Sequence, residues 1–152
     1  MVDDSSTELI EYILWATPVP QKKGWFDELI KKEGHSVSYY GDATKAYETY
    51  IAFPPKVVLV DILFLSSGEN ERLKAFDENG GCWSVSAGLI KMMKEYNSNI
   101  PIISIGGYSV HGQIADIMFD AGVDDHICTK TYNPKIEPEV IVAKVMSYIL
   151  TD

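Results

Sequence analysis

Few residues in this chain have types and spacing that can do chemistry. One carboxylate, Asp61, closes the run KVVLVD after four branched aliphatic residues, Val57–Val60. An acid in that place either works at the mouth of a ligand site or is held structurally, by capping the next turn or by pairing with a cation such as Lys130. His126 and Cys128 alternate within DDHIC, so on a strand both side chains face the same side. With Cys82 they are the one set with soft-metal or thiol character. The close ligand spacings of zinc sites are absent, and a cysteine on such a strand more often behaves as a small buried apolar residue. His35 and His111 fall in surface or loop stretches. Gly106 and Gly107 end PIISIGG, where missing Cβ atoms let a ligand approach the backbone. No GxGxxG, P-loop or GxSxG motif is present.

The elements that must position these residues alternate along the chain. YILWA (Tyr12–Ala16) reads as a strand stopped by Pro18 and Pro20. A helix follows with Trp25, Phe26, Leu29 and Ile30 on one face, ending at Gly34. SVSYY (Ser36–Tyr40) is a second strand. Asp42 caps a helix with Ala43, Ala46, Tyr47, Tyr50 and Ile51 inward, ended by Pro54 and Pro55. KVVLVD is the third strand, apolar on both faces as a central parallel strand must be.

Residues 62–83 then show no clean period and read as a long inserted loop, with room for a short helix around Glu69 to Phe76. Trp83 either packs that loop down or anchors a partner. A helix capped by Ser84 or Ser86 follows, with Leu89, Ile90, Met93 and Tyr96 inward. PIISI is strand four. Ile114, Ala115, Ile117, Met118 and Ala121 mark the next helix, DDHIC (Asp124–Cys128) the fifth strand at the sheet edge. Pro138 opens a last helix with Ile141, Val145, Tyr148 and Ile149 inward. The expectation is one α/β domain over residues 1–152, with 1–10 as a flexible tail: a doubly wound, five-stranded parallel sheet of flavodoxin-like order 2-1-3-4-5, in three α/β/α layers. Ligands of such sheets gather beyond the carboxyl ends of the strands, at the switch point, which here lies between strands one and three. Asp61 stands there.

Composition sets outer limits. A chain of 152 residues with 46% hydrophobic and 23% charged residues can bury a sizeable core. Its net charge of −9 argues against phosphate-rich or anionic-lipid partners. No apolar run approaches the roughly 20 residues that span a bilayer, and the acidic start MVDD does not read as a signal peptide. Two cysteines make no disulfide framework, so a reducing cytoplasm is the expected setting.

Four stretches carry a resemblance to response-regulator receiver domains: KVVLVDIL to the phosphoacceptor strand, EGHSVSYYGDATKAYE to the second strand and helix, IPIISIGGYS to the fourth strand, and AGVDDHICTKTYNP to the fifth strand and lysine turn. The resemblance spans Tyr12 to Leu150 apart from the loop after strand three. It implies that Asp61 holds the phosphoacceptor position and Lys130 the lysine position, with one extra residue before it and Thr131 where proline is usual. His126 falls nearest the switch aromatic. Three departures stand out: the acidic pair that holds Mg²⁺ in the family is replaced by Thr17 and Pro18, and the family's hydroxyl after strand four by Gly106.

A carboxylate needs a divalent cation to accept a phosphoryl group, and Mg²⁺ needs several oxygen ligands. The implied function is therefore a degenerate receiver: a stand-alone, non-enzymatic signalling module in a two-component or phosphorelay pathway, acting through protein partners such as a sensor kinase or downstream protein, with no nucleic acid, membrane or cofactor. The family's face of helix four, strand five and helix five, here Val110 to Leu150, is the expected partner or homodimer surface, and residues 62–83 a second. An active phosphoacceptor at Asp61 is the alternative. It needs Glu69, Glu71, Asp3 or Asp4 to complete a Mg²⁺ site and Ser104 or Ser109 to supply the hydroxyl. IPIISIGGY is also similar to the fourth strand of cobalamin-binding domains, but TPVPQKKG lacks the histidine of that family's loop.

Overall fold

The computed structural model describes residues 12–19, 24–62, 65–81, 83–107, 113–129 and 137–149. Five strands form the sheet: β1 (Tyr12–Ala16), β2 (Ser36–Tyr40), β3 (Val57–Asp61), β4 (Ile102–Gly107) and β5 (Asp125–Thr129). All pair in parallel in the order β2-β1-β3-β4-β5. The helices are α1 (Gly24–Lys32), α2 (Ala43–Ala52), α3 (Glu71–Asn79), α4 (Ser84–Tyr96), α5 (Gln113–Ala121) and α6 (Glu137–Ile149). This is the expected flavodoxin-like topology.

Strand alternation divides the core in two. Ile13, Trp15, Val57, Leu59, Ile103 and Ile105 face α1 and α6, where they meet Phe26, Ile30, Ile141, Val145 and Ile149. Leu14, Val58, Val60 and Ile102 face the other layer and pack on α2, α4 and α5. β3 is buried along Val57–Val60 because both its faces are covered, which explains its unbroken aliphatic run.

Three expectations need adjustment. Residues 62–83 do hold the short helix for which the sequence left room around Glu69 to Phe76, but it runs Glu71–Asn79. Asn70 caps it, accepting from the Leu73 N–H at 3.0 Å. Leu73 is fully buried, and Phe76 fills a notch at Gly88 where any Cβ would collide with its ring. Three hydrogen bonds from the start of α2 tie down the segment that leads into this helix. Thr44 Oγ1 donates to Ser67 O (2.6 Å) and accepts from Asn70 N–H (2.8 Å), while Ala43 N–H donates to Ser66 O (2.7 Å). Its period is weak in the sequence because only Leu73 and Phe76 bury apolar surface in a polar nonamer. Second, α4 is not capped by serine: Trp83 is its N-cap and makes no side-chain cap bond, while Ser84 and Ser86 lie inside the first turn. Third, Tyr96 is 53% exposed rather than inward, its ring edge against Tyr50.

β5 begins one residue later than expected, because Asp124 serves as a tie. Its Oδ2 accepts from Ile102 N–H (2.8 Å) and from Lys94 Nζ (2.6 Å), which also reaches Ile100 O (3.0 Å). Trp83 packs its segment down, half-buried against the α4-side core.

Leu73→Ala tests whether α3 is part of the cooperative fold. Its loss should cost about 2–5 kcal/mol in urea unfolding, as for other fully buried leucines; a near-zero change would mean that α3 is peripheral.

Candidate functional site

Asp61 ends β3 at the carboxyl edge of the sheet, beside the end of β1. Alternation puts Val57, Leu59 and Asp61 on the α1/α6 face with Ile13, Trp15 and Thr17. The Trp15 ring is buried among Trp25, Phe26 and Tyr39, edge-on to the first two. That packing aims its indole N–H at Asp61 Oδ1, 2.8 Å away. Thr17 is fully buried. Its hydroxyl donates to Asp61 Oδ2 at 2.6 Å and accepts from Val19 N–H at 3.3 Å. Its N–H donates to Tyr40 O (2.8 Å), which fixes the strand end. On the backbone of the same residue, buried Ser86 donates from Oγ to Asp61 O at 2.6 Å. Asp61 thus ties β1, β3 and α4 at one point. Hydrogen bonds to a charged group contribute about 1.5–3 kcal/mol each.

Both carboxylate oxygens therefore meet protein hydrogens. The Mg²⁺ that the fold family implies does not fit this donor set: an indole N–H and a hydroxyl that donates to the carboxylate are no substitute for a second acid. Among the described residues, no group of three His, Cys, Asp or Glu could hold a metal. Glu69 and Glu71 lie elsewhere, with side chains 94% and 91% exposed beside Lys74. Pro18 follows Thr17 and offers no ligand. Lys130, Asp3, Asp4, Ser109, His111 and Cys82 lie outside the described residues, as do the side chain of Cys128 and the expected tail 1–10.

The position mapped to the family's hydroxyl is filled. Ile62 N–H donates to Ile105 O (3.1 Å), so the ladder runs one residue past β3. Ile62 takes the face opposite Asp61, is 2% exposed, and packs onto Gly106, where any Cβ would collide with its Cδ1. Glycine at 106 is thus a packing requirement of Ile62.

Ser104 and His126 sit opposite each other on β4 and β5, with Ser104 Oγ 2.6 Å from His126 Nδ1. Ser104 is fully buried within its strand, so it is not placed beside Asp61 as a replacement hydroxyl. Burial pushes the His126 imidazole below its ordinary range, and the neighbouring Asp125 carboxylate only partly opposes this. Its Nε2 is buried with no hydrogen-bond partner among the described residues. For Asp125, burial pushes the carboxyl up, but the Lys144 ammonium at 2.9 Å, the His126 N–H and the Tyr148 hydroxyl outweigh it and hold it below the ordinary range.

Sequence reasoning missed Trp15, Ser86 and Ile62. Trp15 read as a core residue of a strand and Ser86 as a cap. The one available signal was the period-2 phase that puts Trp15, Thr17 and Asp61 on one face.

No protein-family model and no curated protein matches the sequence. Solved structures are similar in fold. A CheY-like response regulator receiver domain protein from Methanospirillum hungatei superposes with a TM-score of 0.68 at 15% identity, over 92% of this chain and 94% of the other. The receiver domain of NtrX from Brucella abortus gives 0.66 at 16%, over 92% and 99%. A response regulator from Thermotoga maritima gives 0.66 at 14%, over 93% and 98%. The chain has the fold of response-regulator receiver domains. At these identities the likeness defines architecture, and its function must be argued from the site.

Two outcomes follow. Gly106→Ala should destabilise the protein by about 1–3 kcal/mol through overpacking. Paired with Ile62→Val in a double-mutant cycle, it should show a favourable coupling of about 0.5 kcal/mol or more; strict additivity would refute the contact. As pH falls below about 6.5, the unfolded chain protonates its histidine at position 126 first. Because the folded value is lowered, stability is full above that pH and drops until the folded pKa is passed. His126→Gln should flatten this slope in urea titrations between pH 5 and pH 7. The depressed Asp125 acts separately, losing its contribution only as pH falls below about 4.

Proposed function

We propose that this chain is a receiver-fold signalling module that works by binding other proteins, with Asp61 serving as a structural anchor rather than as a Mg²⁺-dependent phosphoacceptor. One observation carries the reading: the Asp61 carboxylate is held by Trp15 and Thr17, the latter at a position where a metal-binding acid stands in the family. A phosphoryl group transferred to either oxygen would break one of those bonds. Its developing charge would meet no cation from the Thr17–Pro18 pair. Ile62 over Gly106 supports the same reading, since no hydroxyl can be accommodated at that position without moving it.

The module's partners are proteins of a two-component or phosphorelay type. The layer of α5, β5 and α6 is one contact surface, suited to a partner or a second copy, and exposes Phe119 and Val140. The segment carrying α3 is another. Among the described residues no helix is long and apolar enough to cross a membrane.

Incubation with acetyl phosphate and Mg²⁺, followed by intact-mass measurement, should yield no phosphoryl adduct, with Asp61→Asn giving the same trace. A Mg²⁺-dependent adduct abolished by Asp61→Asn would establish the active phosphoacceptor instead.

A further inference from the structure

The helix α3 interrupts the one-strand, one-helix rhythm of the fold, yet it is firmly built in. Leu73 is in the core, Phe76 sits in the Gly88 notch, and Thr44 bonds its leading turn on both sides. Arg72, in the same leading turn, ties α3 to α4: its guanidinium pairs with Glu95 through two bonds of 2.6 and 3.0 Å. Between α3 and the start of α4 this leaves a pocket of about 320 Å³, lined by Arg72, Ala75, Phe76, Gly80 and Ser84. Gly80 keeps its wall thin, because a Cβ there would collide with Ser84. The lining is largely apolar, with Ala75 exposed at the mouth and the Phe76 ring half-buried within.

An apolar recess on a chain of net charge −9 is a place for a single anchoring side chain. The charges around it say what flanks that anchor. Residues 69–79 hold four acids, Glu69, Glu71, Asp77 and Glu78, against two cations. Arg72 is committed to Glu95, and Lys74 lies within 4 Å of both Glu69 and Glu71. Among the described residues no ion pair reaches Asp77 or Glu78, and both are exposed. Helical spacing puts Glu71 and Glu78 one turn to either side of Ala75. Lys91 on α4 stands toward Glu95.

We infer that the α3–α4 pocket is a docking site for a partner segment that inserts one bulky apolar side chain and flanks it with lysine or arginine. This names a surface for the protein-binding reading above and rests on it. Its test is independent of Asp61, so phosphoryl labelling decides that reading while peptide binding decides this one.

The probe is a synthetic amphipathic peptide of leucine and lysine, with its leucine–glutamate counterpart as control, titrated into the ¹⁵N-labelled full chain. The lysine peptide should give saturable amide shifts centred on Ala75, Phe76, Gly80 and Ser84, and the glutamate peptide none. Ala75→Glu at the exposed mouth should weaken binding at least tenfold while leaving the thermal transition unchanged. Asp77→Lys with Glu78→Lys should weaken it several-fold. Shifts spread over the acidic surface without saturation, equal binding of both peptides, or indifference to Ala75→Glu would overturn the inference.

Discussion

The carboxylate of Asp61 is an anion half-buried at the meeting point of three elements, and the protein supplies the donors that keep it there. Trp15 and Thr17 from β1 take its two oxygens, and Ser86 from α4 takes its carbonyl. A buried charge without such partners would be costly. Each carboxylate oxygen is consequently engaged by a donor from the neighbouring strand. The aromatic cluster around Trp15 serves the same end, since an indole locked edge-on to Trp25 and Phe26 presents its N–H in one direction.

The second face of the same strand end follows the same logic in apolar terms. Ile62 continues the ladder and lies over Gly106, so the end of β4 is packed against the residue that follows β3. In a receiver that switches by phosphorylation, a hydroxyl in this region answers a charge that comes and goes. Here a methyl group of Ile62 answers the missing Cβ of Gly106. Exposed apolar side chains lie farther out, Tyr96 on α4, Phe119 on α5 and Val140 on α6.

Much of this was legible before any coordinates. Aliphatic runs bounded by proline or glycine marked β1, β3 and β4, SVSYY and DDHIC marked the other two strands, and the parallel order followed from their alternation with amphipathic helices. The helix α3 was harder to read. Its polar residues carry no continuous apolar stripe, and what makes it a helix is Asn70 as cap, Leu73 in the core and a glycine notch on another helix. The serines before α4 misled for a related reason: Ser86 has the right type for a cap, but its hydroxyl is spent on a carbonyl 25 residues away.

The sequence by itself determined the layered architecture and the place of Asp61 at the end of the third strand. These are consequences of local residue type and short-range period. Only the tertiary structure decided what became of that acid. Its partners lie 46, 44 and 25 residues away, and the cover on Gly106 comes from Ile62, just past the end of β3. Hydrogen-bond direction and side-chain volume at such separations are set by how strands register and helices pack, which no periodicity along the chain encodes.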